Sequence, residues 1–332
     1  MTPMLSILIK TYNEEAKIAA TLDAALAALA EVDGETELIV ADSRSTDRTV
    51  AIAAAYPGVR IVQLSEPAHR GCGAGVQLGF QFALGEFVYL LDGDMQLQPG
   101  YLPQAMAALH ADPGLGGVAG YLEDTTFHSQ IDQIRARNKL SATEGDVPHL
   151  NGGGLYRRTA IVAAGGYAGD RNLKAYEEAD LGMRLKAAGY RLRRIPVPAV
   201  RHTGHAVGTL TLLARHWRSG RAMAAGVLLR GAVGQPWFVD ALLSQRFAIA
   251  VLGIWGGGTL GALLLGSPVP LLTATGLLLA LASVLALRKR SVVHAAISLS
   301  HWHYAALAVL IGLAYARVAP VLPLPATELT RS

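Results

Sequence analysis

The chain has 332 residues, is 52% hydrophobic and carries a formal net charge of +4. This length can hold two domains, and the small positive excess does not point to nucleic acid. Arginines gather between Arg184 and Arg230, just before a long apolar stretch, where an anionic membrane surface would draw them. A single cysteine, Cys72, excludes an internal disulfide framework and fits a reducing compartment.

In chain order, 4–10 reads as a strand and is followed by a helical pattern from about Glu14 to Leu29. A second strand covers 37–42, and Ser45-Thr46-Asp47 offers caps for a helix reaching about Tyr56. Residues 59–64 form a third strand, 74–84 a helix, and 87–91 a buried strand. Strands alternating with helices of this length predict a mostly parallel sheet covered on both faces. From Phe247 to Leu287 there is no charged residue, which is enough for two membrane spans turning at Gly266-Ser267-Pro268-Val269-Pro270. After Arg288-Lys289-Arg290 a third apolar run extends to about Ala316, interrupted by His294, His301 and His303. The spans are expected at about 247–266, 269–287 and 295–316, behind amphipathic interface helices over 206–245. The N-terminus lacks a secretory pattern, so residues 1–205 are expected in the cytoplasm. Basic groups at Arg246 and 288–290 would face the same side, and three spans would put the tail, 318–332, on the other.

Three strand ends carry polar residues: Thr11-Tyr12-Asn13-Glu14, Asp42-Ser43 and Asp92-Gly93-Asp94. A parallel sheet brings such ends to one edge, where ligands bind. Asp-Gly-Asp alone also suits a solvated turn, but three polar ends together favour a site. Asp-x-Asp without His or Cys neighbours suits a hard cation such as Mg2+ or Mn2+, with substrate phosphates completing the shell. The glycine-rich 69–75 segment could let the backbone approach a phosphate. It matches neither the P-loop pattern nor a dinucleotide fingerprint. Glu177, Glu178 and Asp180 sit at a predicted helix N-terminus, where the macrodipole favours anions whether they act as caps or as catalytic groups.

"ILIKTYNEE", "VADSRSTDRT", "GEFVYLLDGDMQLQPGYL", "NGGGLYRRTAIVAAGGY" and "EEADLGMRLKAAGYRL", in this order from about Leu5 to about Arg201, resemble successive motifs of family 2 glycosyltransferases. The resemblance implies an α/β GT-A fold followed by an α-helical membrane region. It also implies a nucleotide-sugar donor (UDP- or GDP-linked), a divalent metal and inversion at the anomeric carbon. Thr11, Tyr12, Glu14 and Arg70 then line the nucleotide-sugar site, and Asp42 hydrogen-bonds the base, with Ala41 where the family usually has a second acid. Asp94 is the direct metal ligand, and Asp92 is either a ligand or a supporting group. Glu178 occupies the position of the general base, usually Asp in the family. Glu177 is its nearest rival, and Asp180 is read as structural. Asn151, Gly152 and Gly153 form an acceptor-side wall. His202 and His205 have no evident third ligand and suit a structural or diphosphate-contact role. The Gln-x-x-Arg-Trp signature of processive synthases is absent, which favours single transfer.

These readings describe a multi-pass inner- or plasma-membrane transferase acting on a lipid-linked or other membrane-presented glycan acceptor. Two alternatives remain open: a polyprenyl-phosphate glycosyltransferase, whose acceptor needs little base catalysis, and a non-catalytic nucleotide-sugar sensor or scaffold.

Overall fold

The computed structural model describes residues 3–124, 144–150, 153–202 and 208–330. They form two compact units, one of residues 1–221 with 317–332, the other of 222–316.

The first unit opens with β1 (Leu5–Thr11), α1 (Ile18–Leu29), β2 (Thr36–Asp42), α2 (Thr49–Ala53), β3 (Val59–Leu64), α3 (Cys72–Phe82) and β4 (Phe87–Asp92). These strands pair in parallel, in the order β3-β2-β1-β4. Their near-continuous apolar runs arise because both faces are covered. Ile7, Ile9 and Val40 enter one core with α1, while Leu8, Ile39 and Val62 enter the other with α3. Register sets Lys10 beside Asp92 and Thr11 beside Asp42, so the polar strand ends share one edge.

Beyond β4 the sheet becomes mixed. β5 (Met95–Leu97), α4 (Tyr101–Ala111), β6 (Leu115–Asp124), β7 (Gly145–Val147), β8 (Gly154–Arg157), α5 (Arg158–Ala163), α6 (Glu177–Ala187), β9 (Arg191–His202) and α7 (Thr209–Ser219) follow. β8 runs antiparallel between β4 and β6, and β9 pairs parallel with β6 and antiparallel with β5 and β7. Helix α1 begins four residues later than the sequence pattern predicts, because Glu14–Lys17 makes a turn after Asn13, whose φ is +57°.

Residues Ala326–Thr330 form β10, antiparallel to β3 at the outer edge of the sheet. Arg60 binds Glu328 at 3.0 Å, Thr330 Oγ1 accepts from Ile61 N at 2.9 Å, and Leu324 is buried. Upstream, Arg317 pairs with Asp170, and Asn172 and Val318 exchange two hydrogen bonds.

The second unit contains α8 (Ala224–Ala232), α9 (Phe238–Ser244), α10 (Arg246–Leu265), α11 (Val269–Lys289) and α12 (Val292–Leu313). The segment read as interface helices is thus three short helices, α7 to α9, separated at Gly220 and Gly234, where φ is +79° and +77°. α8 also departs from a one-faced amphipathic helix, since seven of its nine residues are buried. It meets α12 through paired glycines: a Cβ on Gly226 would lie 2.1 Å from Val309 O, and one on Gly312 2.0 Å from Met223 O. α10, α11 and α12 are long and apolar enough to cross a bilayer. Leu263 and Leu287 stay 77% and 79% exposed, which suits lipid rather than water.

Candidate active site

Lys10, the last residue of β1 before Thr11, was not singled out from the sequence, yet it organises the site. Its Nζ lies 2.6 Å from Glu177 Oε1 and 3.1 Å from Asp92 Oδ1. Burial opposes charge on Lys10, but Asp92 and Glu177 together hold its ammonium well above the usual lysine range. Burial would also raise the Glu177 carboxyl, yet Lys10 keeps it below the ordinary value. Asp92 moves the other way, pushed up by burial with Lys10 opposing. The signal in the sequence was a lone lysine ending an otherwise apolar strand.

These groups line a cleft together with Glu178, Leu150, Gly153 and Tyr156. Gly153 is needed for a close approach: its φ is +118°, and an added Cβ would lie 2.7 Å from Tyr89 Oη. Asn151, Gly152 and His205 fall outside the described residues. Glu178 is half-buried in the first turn of α6, where helix N–H groups favour an anion. Asp180, in the same first turn, faces inward and is buried. It accepts from Arg184 Nε at 2.8 Å, while Arg184 also donates to the carbonyls of Ala164 and Tyr167. This geometry gives Asp180 a structural role.

Asp94 points to a different cluster from Asp92. Lys17 Nζ is 3.5 Å and His202 Nε2 3.4 Å from Asp94 Oδ2. Burial, and after it Asp94, pushes the Glu14 carboxyl up to about 7. The intervening turn is tightly held: Gly93 N donates to Lys10 O, and Thr21 Oγ1 donates to Gly93 O at 2.9 Å. Among the described residues no three His, Cys, Asp or Glu side chains group closely enough to hold a metal alone. The oxygen donors Asp92 and Asp94 fit a hard cation whose remaining ligands come from a bound diphosphate.

At the neighbouring strand end Asp42 is fully buried. Thr11 Oγ1 and Ser45 Oγ donate to its Oδ1, and Gln63 Nε2 and Ser45 N donate to its Oδ2. It pins the 43–45 loop here, so the expected nucleobase contact would require one of these bonds to be exchanged. Arg70 likewise braces this loop, donating to Ser43 O and Arg44 O. Its guanidinium carbon sits 4.5 Å from the centre of the exposed Tyr12 ring. The glycine-rich start of α3 departs from the phosphate-cradle expectation. Gly73 N already donates to Leu173 O, and a Cβ there would fall 2.0 Å from Asp170 O. Its glycines serve close chain packing.

A mixed α/β sheet with acids gathered at the ends of its parallel strands defines a GT-A-type fold, and solved structures agree. The mannosyltransferase PcManGT from Pyrobaculum calidifontis, in complex with GDP-Man and Mn2+, superposes with a TM-score of 0.56 at 24% identity, covering 94% of this chain and 87% of that one. TarS 1–349 of S. aureus in complex with UDP-GlcNAc gives 0.53 at 18% identity over 72% of each chain. Residues 6–166, just under half of the chain, match the family model "Glycosyl transferase family 2". Among curated proteins, an undecaprenyl-phosphate 4-deoxy-4-formamido-L-arabinose transferase of Aeromonas hydrophila is 28% identical over 144 residues, 42% of this chain and 44% of that protein. A dodecaprenyl-phosphate galacturonate synthase of Rhizobium johnstonii is 32% identical over 110 residues, 32% of each. The chain spans less than half the length of these relatives.

Proposed function

We propose that the protein is a membrane-bound, metal-dependent inverting glycosyltransferase that moves a sugar from a nucleotide-sugar donor to a hydroxyl of a lipid-carried acceptor. The observation that carries this reading is the meeting of Asp92, Lys10, Glu177 and Glu178 in one cleft. Lys10 engages Glu177 and keeps it ionised, so Glu178 is the cleft carboxylate suited to take a proton. Asp94, with Asp92, would hold a divalent cation that supplies positive charge to the leaving diphosphate. The acceptor oxygen attacks the anomeric carbon and passes its proton to Glu178 as the carbon–oxygen bond to the diphosphate breaks on the opposite face. Thr11, Tyr12, Arg70 and Asp42 shape the donor's nucleotide edge, and Gly153 the acceptor wall. The catalytic unit is placed in the cytoplasm, where nucleotide sugars are made.

A second reading, an isoprenoid phosphate as acceptor, is favoured by the names of the relatives above. A phosphate is already anionic and needs no base. A non-catalytic sensor leaves the acidic pair at the α6 N-terminus without a task. The test is to incubate purified protein with UDP- and GDP-sugars and Mn2+, then offer an isoprenoid phosphate or a glycosylated lipid as acceptor. Metal-dependent transfer to the hydroxyl acceptor is expected. Transfer only to the phosphate establishes the second reading, and no turnover of any donor defeats both.

A further inference from the structure

We infer that the apolar unit enters the bilayer as a two-helix hairpin, α10–α11, and that α12 does not cross but stays at the lipid surface on the side from which the hairpin enters. The argument begins with the sheet. β10 belongs to the same sheet as β1 to β4, with Ala326 opposite Leu64 and Thr327 opposite Gln63. Its anchoring is extensive: the Arg60–Glu328 and Arg317–Asp170 ion pairs, the Asn172–Val318 exchange and the buried Leu324 all belong to this unit. A sheet with polar strand ends cannot straddle hydrocarbon, because its unpaired backbone and charged groups would be desolvated. Hence Arg221 and Arg317, where the chain leaves and rejoins this unit, lie in one aqueous compartment. The chain between them must cross the membrane an even number of times.

Three helices have the length to cross, so one of them does not. α8 and α9, at nine and seven residues, are far too short to restore an even count. α10 and α11 are the natural pair. They are joined by a tight turn at Gly266, pack through Gly258 against Ala274, and have no charge from Phe247 to Leu287. α12 is the least apolar of the three and carries His294, His301, His303, Trp302 and Tyr304.

Its middle also meets the open end of the hairpin rather than the hairpin's mid-length alone. Trp302 stacks on Phe247 in the first turn of α10, with ring centres 4.4 Å apart. Lys289 Nζ, at the last residue of α11, donates to Ser298 Oγ at 2.7 Å. Trp302 at that level suits the headgroup region, while the next residue, His303, accepts from Trp255 Nε1 at mid-α10 across 3.0 Å. The partner of this helix is therefore the bilayer surface.

The experiment uses the full chain in a Cys72→Ser background, in right-side-out and inside-out vesicles, with a membrane-impermeant maleimide as probe. Single cysteines are placed by Ser267→Cys, Ser291→Cys and Ser332→Cys. Ser291→Cys and Ser332→Cys are expected to label from the same side, and Ser267→Cys from the opposite one. Labelling of Ser291→Cys and Ser332→Cys from opposite sides would show that α12 crosses and overturn the inference. Labelling of all three from one side would remove the hairpin and overturn it equally.

Discussion

Lys10 Nζ donates to Glu177 Oε1 across 2.6 Å, joining residues 167 positions apart at the mouth of the cleft. Glu177 is almost fully covered, and its charge is held mainly by this lysine, with its own backbone N–H and Arg221 adding less. Removing one partner of a buried pair costs about 3–5 kcal/mol, because the other is left uncompensated. Lys10→Met should lower the thermal midpoint markedly in detergent. Lys10→Met combined with Glu177→Gln should recover part of it, because one of the two carboxylates left without the lysine is then neutral, Asp92 being the other. Equal midpoints for the single and double variants would dissolve the pairing.

Glu178→Gln keeps the volume of the side chain and removes its capacity to accept a proton. With a hydroxyl acceptor, kcat should fall by about 10²–10⁴-fold, the usual contribution of a general base. Donor affinity, measured by calorimetry with the nucleotide sugar, should be preserved. Turnover close to wild type would move the acceptor assignment to a phosphate.

Asp94→Asn removes a charge that faces the diphosphate in the proposed site, while conserving shape. Metal-stimulated turnover should disappear, and Mn2+ binding in the presence of nucleotide should weaken. A variant that keeps full Mn2+ stimulation would mean that another residue holds the cation.

Asp180 and Arg184 form a buried pair one helical turn apart, at 2.8 Å. Asp180→Ala strands the guanidinium and should cost about 3–5 kcal/mol of stability. Chemical denaturation reads this directly. If Asp180→Ala unfolds like wild type but loses all activity, Asp180 belongs to the chemistry instead.

The parallel half of the sheet was legible because its strands are buried on both faces and read as apolar runs with polar ends. The candidate acids Asp42, Asp92 and Asp94 stood out for the same reason, since they sit where such runs stop, whereas Glu177 and Glu178 lie at a helix N-terminus. Lys10 was hidden because a single lysine within "ILIKTYNEE" looks like the end of a strand, and its partner Glu177 becomes a neighbour only through the fold. β10 was hidden more thoroughly. "ATELT" is a short, half-exposed edge strand following prolines, and nothing local marks its pairing with β3. The glycines of 69–75 were visible, but sequence cannot say whether a missing Cβ admits a phosphate or a neighbouring chain.

The pairing of Arg60 with Glu328 spans 268 residues, and this has a consequence for biogenesis. The ribosome delivers β3 early, but β10 emerges only after all three apolar helices. Until then β3 presents an open edge, the kind of surface that recruits stray strands. The sheet can be completed only once the apolar segment has been handed to the membrane. A nascent chain stalled before residue 317 should therefore hold chaperones at that edge, and release of the tail is the step that seals it.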